Sequence, residues 1–578
     1  MAHVTLSKIK MSSSTSLSEP TISLLVAASP QLESPLFRVP REIRDAIYDY
    51  YTFEENGYFY NTCSEKLALH NGGAIKLDLM YTCRAINAEL QGVSLRTNKV
   101  TFDCANFQDG PDEGKATSRA GRFNLLLECT FAAKLQMLIY AATCITPTIL
   151  EKIRDQFGDD GIRLADGFRV VQNNLHSEDA DEDVITGTWH TAWRIDPTTG
   201  TRDALHRTLE LASNHPDFER LASRTFDPSS NTQQRLGWRT YFGPQAFRAV
   251  LQWHPLPWAI PTSTELSTLE VHLAAPEEDD SSSPLDYSVM VRPFQWYFSA
   301  AAVAIRFLRH HPKERLQMRQ IVAREKHRSV SNPESHARGF ASVCLENTHL
   351  RIKRAIGLWD CMYPASWNDI RICMPGMFLD DDFYRRLNMG NPRFVQISQI
   401  LLLFARWLGE ESVLGTLMPS GSCIVHLEGE SLGTYEAWEL VRQAASQQHV
   451  SSELRRLLGM VKPSPVESDR SQLEIFPLPH HLPDIFPQLI KKITSGESKF
   501  IQFQGFSGYP MDLEAELENA RTDSLQDRQK QWRKWMSQWV ELPEGGMIGL
   551  VRRYWLLNGH PDSTMLNRYS KSYIAPVK

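Results

Sequence analysis

Long apolar runs are missing from this sequence. No stretch approaches the ~18–20 residues that a helical membrane span requires, so no membrane partner is expected. Net charge is also scarce, at −6 over 578 residues. That balance gives no bulk electrostatic ground for binding nucleic acid or an anionic surface. The nine cysteines stand singly, with no CxxC pair and no tight cluster. Such spacing fits buried thiols in a reducing compartment, cytoplasmic or nuclear, and not a disulfide framework. There is no internal repeat of 20–50 residues, which argues against a solenoid or propeller. No glycine-rich phosphate loop, HExxH, kinase signature or dinucleotide fingerprint occurs, so no cofactor, metal or catalytic constellation is expected.

The length points to two to four domains. Residues 1–34 are rich in Ser, Thr and Pro and read as a tail. Leu36, Val39, Ile43, Ile47 and Tyr50 then recur at helical spacing, with Pro40 near the first helical position. Leu79, Cys83, Ile86, Leu90 and Val93 follow steps of 4, 3, 4 and 3, which predicts one helical face. Val100–Cys104 alternates as a strand does. Between 120 and 275, Phe123–Tyr140 reads as a buried helix and Trp189–Ile195 as a strand. Residues 276–286 form an acidic, Ser-rich linker. Residues 287–460 read as mainly helical, including Phe294–Leu308, Arg351–Trp359 and Gln396–Trp407. Ser422–Leu427 reads as a strand and Tyr435–Gln447 as a helix. A second linker falls at 461–472, and 473–578 reads as helical, with one long helix over Leu513–Trp539.

The stretch Leu36–Tyr48 resembles the opening helix of F-box domains, and Met80–Glu89 resembles their second helix, with Asn98–Phe102 as the closing piece. It is more closely similar to the F-box-like segments of filamentous-fungal proteins, in which an insert separates the two helices. It covers about seventy residues, 35–108. Two further stretches, Ile321–Glu325 with His336–Asn347 and Ser422–Gln447, resemble parts of fungal proteins that carry such a segment. The resemblance implies an F-box-like helical unit followed by a larger α-rich body, an α+β fold with helix predominating. It also implies a function. The unit docks on the Skp-type adaptor of a cullin–RING ubiquitin ligase through Val39, Pro40, Ile43 and Ile47, while the body holds a protein target. The sequence departs from the pattern at Val39, at polar Arg44 and Asp45, and in the insert Asn56–Lys76. The alternative is a scaffold or binding protein that reuses the fold without a ubiquitin role.

Several local patterns carry chemistry. Gly429–Gly433 spells GxSxG around Ser431, after a strand and before a helix, as in a serine hydrolase elbow. Asp484 or Asp512 with His480, His481 or His560 are its nominal partners. The helical reading upstream lacks the strand series that such a sheet needs. His327, His336, Cys344 and His349 match no zinc spacing and read as core-edge or surface residues. Arg309–Arg328 holds seven Lys/Arg against two Glu. It reads as a solvated helix with Leu316, Ile321 and Val322 inward. Trp532, Trp535 and Trp539 recur at i, i+3 and i+7 and read as a buried stripe, or as a partner site if exposed.

Overall fold

The computed structural model describes residues 34–107, 118–175, 198–227, 241–274, 296–327, 329–358, 361, 394–428, 432–457, 482, 485–503, 510–519, 530, 532, 534–536 and 539–541. Contacts divide the chain into residues 1–51 and 52–578.

In the first unit, a single turn (Pro35–Arg38) leads through extended Val39 into helix α1, Arg41–Thr52. Pro40 sits where a missing N–H costs nothing, and its carbonyl receives Ile43 N at 3.1 Å. Arg44, polar in mid-helix, turns back within the unit. It donates to Val39 O at 2.7 Å and lies 5.4 Å from the Phe37 ring centroid.

The second unit is built on a seven-stranded sheet: β1 (Tyr58–Asn61), β2 (Lys66–Leu69), β3 (Lys99–Asp103), β4 (Gln320–Glu325), β5 (Arg351–Gly357), β6 (Cys423–Glu428) and β7 (Ile501–Phe503). Its spatial order is β7-β6-β5-β4-β3-β1-β2, parallel throughout except for the β1–β2 hairpin. The molecule is thus a mixed α and β structure with substantial helix, and its central sheet is parallel. The sheet takes strands from 35–108, 287–460 and 473–578, so it crosses the segment boundaries expected from the sequence. The linkers expected at 276–286 and 461–472, and the strand at Trp189–Ile195, lie outside the described residues.

Glycine makes the entry to β1. Gly57 has φ +67°, and a Cβ there would stand 2.3 Å from the Lys99 carbonyl oxygen. The continuous helical face expected over Leu79–Val93 is instead three pieces. A 3-10 turn (Asp78–Tyr81) is followed by Arg84–Leu90, N-capped by Cys83, and then Val93–Thr97 beyond Gly92 at φ +76°.

A helical body precedes the fourth strand. Its central helix α2 (Arg119–Tyr140) starts at Ser118, whose hydroxyl accepts from Gly121 N, and is buried along most of its length. Against it pack α3 (Thr199–Ala212) and a series of shorter elements, around Phe123, Leu126, Leu138, Leu205 and Phe218.

After the β1–β2 hairpin, strands β3 to β7 are added in one direction from β1. Right-handed crossovers then place the connecting elements on one face. That face is buried in ranks: Ile321, Ile352 and Cys423; then Ala323, Arg354, Val425 and Ile501. It is covered by α4 (Ala300–His310), α5 (Ile397–Leu417), α6 (Leu432–Leu457) and α7 (Phe486–Thr494). The other face, with Val322, Arg324, Lys353, Ile424 and His426, is only half-buried. There Arg324 pairs with Asp103 and lies 5.1 Å from the Phe59 ring centroid.

This arrangement corrects three sequence readings. The basic stretch Arg309–Arg328 is not one helix: its described residues include the last two of α4, a 3-10 turn (Glu314–Leu316) and β4, with Ile321 facing the core, Val322 the opposite face, and Leu316 exposed. Residues 351–357 form a strand and not a helix. Trp539 lies on a strand, Trp539–Glu541, paired with Phe394–Gln396, so the helix expected over Leu513–Trp539 does not run through. Among the described residues, no helix is long and apolar enough to cross a membrane.

Candidate functional site

In open parallel sheets, ligands usually bind where strand order reverses. Among the described strands the order changes direction only at the antiparallel β1–β2 hairpin, and the ends of β3, β4 and β5 carry a closed polar cluster. At the end of β4, Glu325 accepts from Ala300 N and Ala301 N at 2.9 and 3.1 Å, at the start of α4. Arg354 of β5 donates its Nε to Glu325 at 3.0 Å and stacks 4.8 Å from the Trp407 ring centroid. Neither side chain of the pair is exposed. Cys104 Sγ lies 3.5 Å from the same carboxylate, and burial, then that charge, pushes its thiol up to about 12.

His336, expected near a core edge or the surface, is fully buried beside this pair. Its Nε2 lies 2.9 Å from Ser331 O and its Nδ1 2.6 Å from Ser299 Oγ. A carbonyl only accepts, so Nε2 carries the proton. Nδ1 then accepts from Ser299, whose oxygen receives Ala302 N. Burial, then the charge of Arg354, pushes the ring down to about 3. A depressed pKa gives stability that is full above the ordinary value of 6.5 and is lost as pH falls toward about 3. Unfolding midpoints measured from pH 7 to 4 should therefore fall faster for the native chain than for His336→Asn. Parallel slopes would contradict this.

The least ordinary titratable group lies on α2. Lys134 is 4% exposed. Its Nζ donates to Trp253 O at 2.7 Å and meets His206 Nδ1 at 3.2 Å. Burial, then the charge of Arg202, lowers its amine to about 7, against a smaller opposing effect of Glu210. His206 is lowered to about 4 by burial, then by Lys134 and His254. Its ring stacks on His254 at 4.1 Å, and His254 Nε2 lies 3.0 Å from Asp203. Lys134, Trp253, Asp203 and His254 line a cleft of about 40 Å³ together with Thr130, Arg202, Ser331 and Asn332, and His206 adjoins it through its contact with Lys134. Ser331 and Asn332 have consecutive positive φ of 67° and 57°. Side-chain-bearing residues rarely adopt that backbone, and such strain gathers at functional sites. The signal available in sequence was one lysine inside an apolar helix. Its partners stand 72 and 119 residues away, where spacing says nothing.

A larger cavity of about 710 Å³ lies between α6, the Leu513–Asn519 helix and the Trp532–Trp535 pair. The two indoles, 5.4 Å apart, are half-buried and pack against the core beneath α5 and α6. Arg442, Glu439, Asp512 and Glu516 line the same space.

The four residues assigned to partner docking fall on and before α1. Ile43 and Ile47 are 53% and 41% exposed, Pro40 is exposed and Val39 half-buried. Of the hydrolase residues, Ser431, His480, His481, Asp484 and His560 lie outside the described residues. Asp512 caps a helix, its Oδ1 accepting from Ala515 N at 3.0 Å. His327 stacks on Tyr297 at 4.3 Å, and Cys344 is packed in the core under α4. No group of three or more metal-ligating side chains converges among the described residues. No family model, curated protein or solved structure matches the chain.

Proposed function

We propose that the chain is an intracellular interaction protein that docks through α1. The partner is a Skp-type adaptor of a cullin–RING ubiquitin ligase, and the body after residue 120 holds a protein target. The observation that supports this reading is the apolar face of α1. Ile43, Ile47 and Tyr50 (87% exposed) fall at steps of four and three on one side of the helix. Burying an aliphatic side chain of this size is worth about 1.5–3 kcal/mol. A contiguous group of them in water is an interaction surface by its chemistry. The resemblance of Leu36–Tyr48 to an F-box helix names the partner class.

The test is co-purification of the full chain with the adaptor of its own organism. Ile43→Asp/Ile47→Asp, checked for native circular dichroism, should weaken binding by roughly 100-fold or more (about 3 kcal/mol or more). A folded parent chain that binds no adaptor removes the reading. The cavity at Trp532 and Trp535 favours a second one, a binding protein with no ubiquitin role, since its volume suits a small ligand or a peptide side chain. Adaptor binding separates the two.

A further inference from the structure

The Lys134 cleft lies within the second unit, and its contents are more specific than packing requires. A buried lysine is ordinarily tolerated by pairing its ammonium with a carboxylate. Here the nitrogen meets a backbone carbonyl and an imidazole. Those two acceptors take both N–H bonds of a neutral amine and leave its lone pair. With Nδ1 of His206 accepting, Nε2 bears the ring proton, 3.5 Å from Glu210. Thr130, one helical turn before Lys134, lines the same cleft. Among the described residues its buried hydroxyl has no hydrogen-bond partner, an uncommon condition in a folded chain. Arg202 adds a fixed positive charge to the wall.

Size narrows the ligand. A volume of about 40 Å³ holds roughly three water-sized probes. It excludes sugars, nucleotides and peptides, and admits a molecule of two or three heavy atoms. The wall supplies a cation and a spare hydroxyl, both suited to a new negative charge on the amine.

We propose that Lys134 is a carbon dioxide acceptor and forms a carbamate in this cleft. The amine lone pair makes the N–C bond, and one C=O electron pair moves onto oxygen. The nitrogen's proton passes to His206 Nδ1, and the Nε2 proton leaves toward Glu210 and solvent. Amine and carbon dioxide become a carbamate anion and a proton, with no oxidant or reductant. Arg202 faces the new charge, Thr130 donates to it, and His254, held by Asp203, borders the mouth.

The experiment equilibrates the full chain with ¹³C-labelled bicarbonate and carbon dioxide at about pH 8. Carbamate is then trapped by O-ethylation with a trialkyloxonium salt and located by peptide mass spectrometry. The expected result is saturable label on Lys134, falling as pH drops below about 7, where the amine protonates. Lys134→Arg and Lys134→Met take no label at that peptide. Thr130→Val, which keeps the amine, lowers occupancy roughly five-fold, the worth of one hydrogen bond of about 1 kcal/mol. An unlabelled Lys134 at saturating carbon dioxide, in chain with native circular dichroism, overturns the proposal. So does trapping of Lys134 by cyanoborohydride with a small aldehyde when no carbamate forms, which would assign the amine to imine chemistry.

Discussion

Arg354→Ala destabilises the sheet unit by about 3–5 kcal/mol, read as an early first transition in urea unfolding. The size follows from complete burial of both members of the Glu325–Arg354 pair. Removing the guanidinium leaves the Glu325 carboxylate in the interior with two amide donors from α4 and no countercharge. The stacking surface over Trp407 is lost with it. Glu325→Ala strands the opposite charge and should cost a similar amount. The double variant Glu325→Leu/Arg354→Met removes both charges and keeps apolar volume. It should cost clearly less than the sum of the single changes, because the pair's desolvation is removed together with its attraction. Additive costs, or a single variant within 1 kcal/mol of the parent, would show that the pair is screened and not buried.

Trp438→Ala should cost about 3–5 kcal/mol, the usual range for deleting a fully buried large aromatic. Trp438 is 1% exposed on α6. Its ring stacks on Phe503 of the edge strand β7 at 4.7 Å and lies 6.1 Å from Phe404 of α5. Three elements meet on that one side chain, so the cavity left behind cannot close by the movement of one helix. The loss should appear locally as well as globally. Amide hydrogen exchange at Ile501–Phe503 should accelerate more than at β4 or β5, since among the described strands β7 has a neighbour on one side only. Uniform acceleration across all strands would contradict the local part. Trp438→Phe, which retains a ring, should cost much less.

How legible this fold was depends on where its charges lie. Cys423–Glu428 alternates cleanly between buried and half-buried positions, and its strand was readable. So was α2, whose apolar character continues through Phe123–Tyr140. Strands β4 and β5 were not. Arg324, Lys353 and Arg351 occupy the half-solvated face, while Glu325 and Arg354 occupy the buried one. Charges on both faces erase the period-two signal by which a strand is recognised. The buried ion pair that fastens the sheet is thus also what concealed it. The helical spacing of Ile43 and Ile47 was readable because that periodicity is local. The Lys134 cleft was not, because α2, α3 and the 253–258 segment converge only in three dimensions.

The order of the strands also sets a timetable. Asp103 of β3 meets Arg324 of β4 across 221 residues. At roughly 5–20 residues per second of synthesis, the wait for that partner is about 10–40 s. For that interval Lys99–Asp103 has β1 on one side and an open edge on the other, with Val100 and Phe102 destined for the core. During translation, then, the nascent chain presents an open strand edge until the ribosome delivers β4, after which the rest of the sheet can be added strand by strand.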